Sequence, residues 1–131
     1  MAKNRIFRDV FKTRELFESF KFALRGCIYL FFCHRNMRII FLVGVATFLL
    51  GIYFHLKGIE LMILCLTISL VFIAEIFNTA MELIIDMFID KYHPKIKIIK
   101  DIAAAVVIIA ALNSLAIGYV LFVRRIINLL R

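Results

Sequence analysis

Three long apolar runs, at residues 39–56, 61–85 and 102–123, are separated by clusters of charged residues, and this pattern constrains the fold more than any other feature of the chain. Crossing roughly 30 Å of hydrocarbon takes about 20 apolar residues in a helix. The second and third runs meet that length, and the first sits at its lower limit, where tilt or local thinning of the bilayer must help. The runs are continuous rather than alternating, which argues against half-buried strands. With 64% hydrophobic residues among 131, a water-soluble domain would have to bury an implausible share of its side chains. The expected fold is an all-α integral membrane bundle, a single domain over residues 1–131 with three transmembrane helices.

Residues 1–13 are basic and lack a continuous apolar face, so they read as a partly ordered cytoplasmic arm, and the start of the chain has no apolar core of the kind a cleavable signal requires. Over residues 14–33, Leu16, Phe17, Phe20, Leu24, Cys27, Ile28 and Phe31 recur at helical spacing, with Lys21 and Arg25 placed to meet headgroups. That is the pattern of an amphipathic interfacial helix. Lys57, Gly58 and Glu60 mark a short turn, and Asp90 to Lys100 holds the sole proline, Pro94, among four lysines, which reads as a helix-breaking solvated loop. Thirteen Lys and Arg lie on the side of the N-terminus and the Pro94 loop against four on the other, which places the N-terminus in the cytoplasm. Because the cations flank the apolar runs, the net charge of +8 points to anionic headgroups and a nucleotide rather than to nucleic acid. Cys27, Cys33 and Cys65 match neither a disulfide framework nor a zinc site and read as apolar packing residues.

The chemistry is expected toward the end of the second span. At about 100° per residue, Glu75, Asn78, Glu82 and Asp86 share one helix face, and at about 1.5 Å rise that face runs roughly 16 Å from within the bilayer to water. An ionisable group on a spanning helix is costly if it faces lipid, so Glu75 is expected to turn inward and serve a site, where a carboxylate suits removal of a proton from an alcohol. Glu82 and Asp86, by contrast, are also compatible with mere solvation beyond the bilayer. Phosphoryl transfer needs cations on the triphosphate and carboxylate oxygens on Mg²⁺, and Glu82, Lys100 and Asp101 are the candidates. Asp101 reads equally as the cap of the third helix, with Lys100 anchoring it to headgroups. His34, His55 and His93 have no ligand-spaced partners, although His93, beside Lys91 and Tyr92, is placed to meet a nucleotide. No P-loop, glycine-rich nucleotide loop or GxSxG occurs, so a kinase here must be built from helices. Small residues from Ala103 to Gly118 recur along the third span and permit close helix approach.

The stretch EIFNTAMELIIDMFIDKYHPKIKIIKDIAAAVV, Glu75 to Val107, resembles the bacterial diacylglycerol kinase and undecaprenol kinase family, through the pattern E-x-x-N-[ST]-A-[IM]-E-x-x-x-D, then Y-H, then K-D. SFKFALRG from Ser19 and RNMR from Arg35 look like the family's interfacial helix and its link to the first span. The resemblance implies an ATP-dependent kinase of the bacterial inner membrane that phosphorylates diacylglycerol, or alternatively undecaprenol. It implies Glu75 as general base, Glu82 as Mg²⁺ ligand, and Glu82, Lys91, Tyr92, His93, Lys100 and Asp101 around ATP, with Asn78 and Asp86 in support. It also implies a homotrimer with composite sites between subunits. Three positions depart from the family pattern: His34 aligns with a metal-binding glutamate, Glu15 with an ATP-contacting arginine and Phe22 with a tyrosine. Readings of another class are a small multidrug-type transporter, which one intramembrane carboxylate would serve, and a catalytically silent membrane subunit, which the three departures would suggest.

Overall fold

The structure is a computed structural model and describes residues 2–88 and 94–129. Four helices follow one another: α1 (Ala2–Cys33), α2 (Arg35–Tyr53), α3 (Ile59–Phe88) and α4 (Pro94–Leu129). Three are long and apolar enough to cross a membrane, over Arg35–Tyr53, Ile59–Met87 and Pro94–Asn128. The protein is thus an all-α, multi-pass membrane helical bundle. Two compact units divide at Arg35: residues 1–35, essentially α1, and residues 36–131, which hold the spans.

In the first unit α1 is helical from Ala2, where the sequence suggests an arm over 1–13 and a helix only from 14. Its apolar residues Leu16, Phe17, Phe20 and Ile28 are all exposed. The helix stops at His34, whose N–H donates to the Leu30 carbonyl at 3.0 Å and whose ring meets Tyr29 edge-on.

In the second unit α3 carries the core stripe. Its buried residues Leu64, Thr67, Ala74, Glu75, Asn78, Thr79 and Ile85 recur at three- and four-residue spacing, as one face of a helix requires. α3 and α4 pack along their lengths, and small residues at the buried α4 positions Ala103 and Ala110 let the backbones approach. α2 lies against α3 at two glycines: a Cβ on Gly44 would stand 3.1 Å from Ile68 Cγ2, and one on Gly51 would stand 2.6 Å from Leu64 Cδ2. Leu56, Leu64 and Leu121 form the centre of the packing at the end where α2 turns into α3.

Two element boundaries differ from the sequence reading. Pro94 does not interrupt a helix; it opens α4, so that Pro94 to Lys100 is helical rather than loop. The first helical turn has no use for a proline N–H, and its fixed φ suits that position. Asp101 consequently lies two turns inside α4 and does not cap it. The three cysteines are free and exposed, not packed. In a membrane bundle such side chains face lipid or a neighbouring protein.

Candidate functional site

The second half of α3 delivers a line of polar side chains toward one end of the bundle. Glu75 is 3% exposed, Asn78 9% and Thr79 2%, whereas Glu82 and Asp86, further along the helix, are exposed. The gradient follows from position: the same helix face is buried at Glu75 and runs out of the packed region by Asp86. Asn78 Nδ2 donates to Glu82 Oε1 at 3.1 Å, one helical turn on. Asn78 Oδ1 is buried and accepts no hydrogen bond. Lys100 of α4 reaches α3, its Nζ donating to Asp86 Oδ1 at 2.7 Å. Both partners are substantially exposed, at 43% and 65%. A pair of this kind contributes only about 0–1 kcal/mol, so the Lys100 ammonium is cheaply released to a more highly charged anion.

Of the residues expected from sequence, Glu75, Asn78, Glu82 and Asp86 therefore form one line, and Lys100 joins it through Asp86. Asp101, next along α4, is exposed. Lys91, Tyr92 and His93 lie outside the described residues. Glu15, Phe22 and His34 belong to the first unit, where Phe22 carries the Arg25 guanidinium 5.9 Å from its ring centre. Two features escape sequence reading. Thr79, among the most buried side chains in the line, sits four residues after Glu75; it fills the Ser/Thr position of the family pattern but is not singled out there as a site residue. The ion pair of Arg125 with Glu60, at 2.6 Å, fastens α4 to α3 at the opposite end of the spans and joins residues 65 apart.

No group of three or more His, Cys, Asp or Glu converges among the described residues. Mg²⁺ does not require one: it is commonly held by one or two carboxylates, with water and substrate phosphates completing about six oxygens. The site's donor set is of that kind. Glu82 is exposed with a carboxylate to offer, and Asn78 carries a hard oxygen that no donor among the described residues satisfies. The residues present fit the ion.

Fold and site together define a small helical membrane protein in which a line of acidic groups on α3 runs toward one end of the bundle and meets the Lys100 ammonium. The profile of the prokaryotic diacylglycerol kinase family matches residues 21–122, and the chain belongs to that family of small integral-membrane lipid kinases. It is 37% identical over 116 residues to a diacylglycerol kinase of Synechocystis sp., an alignment covering 88% of this chain and 66% of that protein, just under two thirds of the relative's length. It is 36% identical over 111 residues to an undecaprenol kinase of Bacillus subtilis, covering 85% of this chain and 90% of the relative.

Proposed function

We propose that the protein transfers the γ-phosphoryl group of ATP to the hydroxyl of diacylglycerol, giving phosphatidic acid and ADP. The observation that carries this reading is the line from buried Glu75 to solvated Asp86 and Lys100, because it connects a site for an apolar alcohol to a site for a nucleotide. Glu75 accepts the hydroxyl proton as the lipid oxygen bonds to phosphorus and the bond to ADP breaks. Glu82, held in orientation by the Asn78 amide, is the protein's Mg²⁺ ligand. The ion, when bound, neutralises charge on the phosphate oxygens. Lys100 exchanges Asp86 for the triphosphate, and Asp101 with Lys91, Tyr92 and His93 completes the nucleotide site. His34 offers no carboxylate oxygen, so on this reading Glu82 carries the metal without help from that position.

The same reading places the protein in a bacterial inner membrane with its N-terminus and the Lys100 end in the cytoplasm, α1 lying along the surface from residue 14, and three copies forming composite sites. The cation asymmetry supports the orientation. The exposure of large apolar residues on all three spans, such as Leu66, Ile109 and Val120, supports cover by lipid and by further copies. Undecaprenol is the second acceptor to test, since the Bacillus relative aligns over more of its length. A transporter would have no use for Lys100 and Asp86 together. The deciding experiment presents Mg·ATP labelled in the γ-phosphate with diacylglycerol or undecaprenol separately in mixed micelles. Labelled phosphatidic acid is expected; labelled undecaprenyl phosphate alone would reassign the acceptor, and no labelled lipid would leave the silent-subunit reading.

A further inference from the structure

We propose that Thr79 is a positioning residue for the phosphoryl transfer: its hydroxyl donates to the Glu75 carboxylate when the lipid alcohol is bound, and so leaves the second carboxylate oxygen facing the acceptor hydroxyl. The proposal rests on the lipid-kinase reading above, and it gives a task to a buried polar group which that reading leaves unused.

Three threonines lie on the described spans, and two of them use their hydroxyls in the ordinary way for a helix. Thr47 donates to the Val43 carbonyl and Thr67 to the Ile63 carbonyl, each at 2.7 Å. A bond to the carbonyl four residues back satisfies the hydroxyl with no help from outside the helix. Thr79 is the exception. It is more buried than either, yet its hydroxyl makes no hydrogen bond among the described residues, not even to the Glu75 carbonyl. A hydroxyl kept from water without a partner is costly, and a valine of the same shape would avoid the cost.

Glu75 is in the same condition: it is buried, and no described residue donates to its carboxylate. The two are neighbours on one helix face, about 40° and about 6 Å apart. Helical side chains lean toward the N-terminus, so Thr79 leans over the Glu75 turn. The next pair along the face already shows the relation made, with Asn78 Nδ2 donating to Glu82 Oε1 across the same four-residue spacing at 3.1 Å. The buried α4 residues, Ala103, Ala110 and Leu121, offer no donor in place of Thr79.

A base must come within hydrogen-bond reach of the proton it takes, and in a free enzyme such bonds are often not yet closed. One donor on one carboxylate oxygen fixes the rotation of the group and leaves the other oxygen to the alcohol. Threonine suits the task, because its hydroxyl is neutral and its branched side chain has few rotamers. Thr79 keeps its own proton throughout. The proton that moves is that of the acceptor hydroxyl, which passes from the lipid oxygen to the free Glu75 oxygen as the bond to phosphorus forms and the bond to ADP breaks.

Thr79→Val keeps the shape and removes the donor, whereas Thr79→Ser keeps the donor and removes the methyl. Both are assayed with Mg·ATP and diacylglycerol in mixed micelles, and Thr79→Val also in the Glu75→Gln background. Thr79→Val is expected to lower kcat about 10- to 100-fold, the worth of one hydrogen bond to a charged group, with KM for Mg·ATP unchanged and the unfolding midpoint no lower than wild type. Thr79→Ser is expected to regain most of the lost kcat despite a lower midpoint. Together with Glu75→Gln, Thr79→Val should cost no further activity, because a residue that acts through the base has nothing left to act on. A lowered midpoint with kcat unchanged would make Thr79 a packing residue, and equal losses in both backgrounds would detach it from Glu75; each overturns the proposal. If Thr79→Val does not fold, Thr79→Ser against Thr79→Ala decides, since these differ by the hydroxyl alone.

A second measurement needs no turnover. In protein carrying isotope-labelled glutamate, held in vesicles with diacylglycerol and without ATP, the infrared band of the Glu75 carboxyl group is the one that Glu75→Gln abolishes. Thr79→Val is expected to shift that band and Thr79→Ser to leave it in place. An unmoved band in Thr79→Val, with lipid phosphorylated by the wild type, overturns the positioning role and leaves the kinase reading standing. A shifted band in a protein that phosphorylates no lipid does the reverse, keeping the bond between Thr79 and Glu75 and rejecting the kinase reading.

Discussion

Asn78 keeps a buried carbonyl oxygen with no donor among the described residues, an arrangement that costs about 1–3 kcal/mol and that an apolar residue of the same shape would avoid. A cost retained beside Glu82 is understandable if the oxygen and the amide both serve the bound substrate complex. Asn78→Leu is accordingly expected to leave thermal stability in detergent equal to wild type or higher, while raising KM for Mg·ATP and shifting the Mg²⁺ dependence to higher concentration. Lower stability with unaltered kinetics would make Asn78 a packing residue. At Glu75 the expectation is different. Glu75→Gln preserves shape and removes the proton acceptor, so kcat should fall by about 10²–10⁴ with the apparent affinity for Mg·ATP little changed. Helical content and the unfolding midpoint in detergent serve as the folding control, and near-normal turnover would remove Glu75 from the role of base.

Among the elements, the turn after α2 shows local chemistry at odds with its residue. The Leu56 N–H donates to the Gly51 carbonyl and the His55 N–H to Ile52, both at 2.9 Å, the paired bonds of a Schellman cap. His55 holds the left-handed position at φ 56°, where glycine is the usual occupant. A side chain there costs about 1–2 kcal/mol, so His55→Gly should raise the unfolding midpoint, with activity unchanged because the turn lies far from Glu75. The cap was not legible in sequence, since no glycine marks it. The spans themselves were, because an apolar run of that length has few other uses, and the line Glu75, Asn78, Glu82 and Asp86 followed from helical period alone. The start of α4 misread for a specific reason: proline breaks helix interiors and begins helices, and the lysines around Pro94 suit either setting. The pairing of Lys100 with Asp86 depends on α4 folding back along α3, which no local pattern encodes.

Among the described residues of the span bundle, two ion pairs tie α3 to α4, and they differ in exposure. At the Asp86 end the pair with Lys100 is exposed and weakly held, which suits the proposed transfer of the Lys100 ammonium to a nucleotide. At the other end Arg125 is more enclosed, at 28% exposure. It donates both to Glu60 at 2.6 Å and to the Leu121 carbonyl at 2.8 Å, so it has two partners to lose and no ligand to gain. Glu60 and Glu75 are fifteen residues apart on one helix, roughly 22 Å. A double-mutant cycle of Glu60→Gln and Arg125→Met, followed by unfolding in detergent, should therefore give a coupling of about 0.5–1 kcal/mol, discounted for the exposure of both groups, while kcat and KM for Mg·ATP stay at wild-type values. The parallel substitution at the catalytic end, Lys100→Met, should do the opposite, raising KM for ATP severalfold or more with little loss of stability. If Arg125 variants instead slow turnover while remaining folded, the far-end clasp is coupled to the site through the length of α3 and α4, and the division of labour between the two ends is wrong.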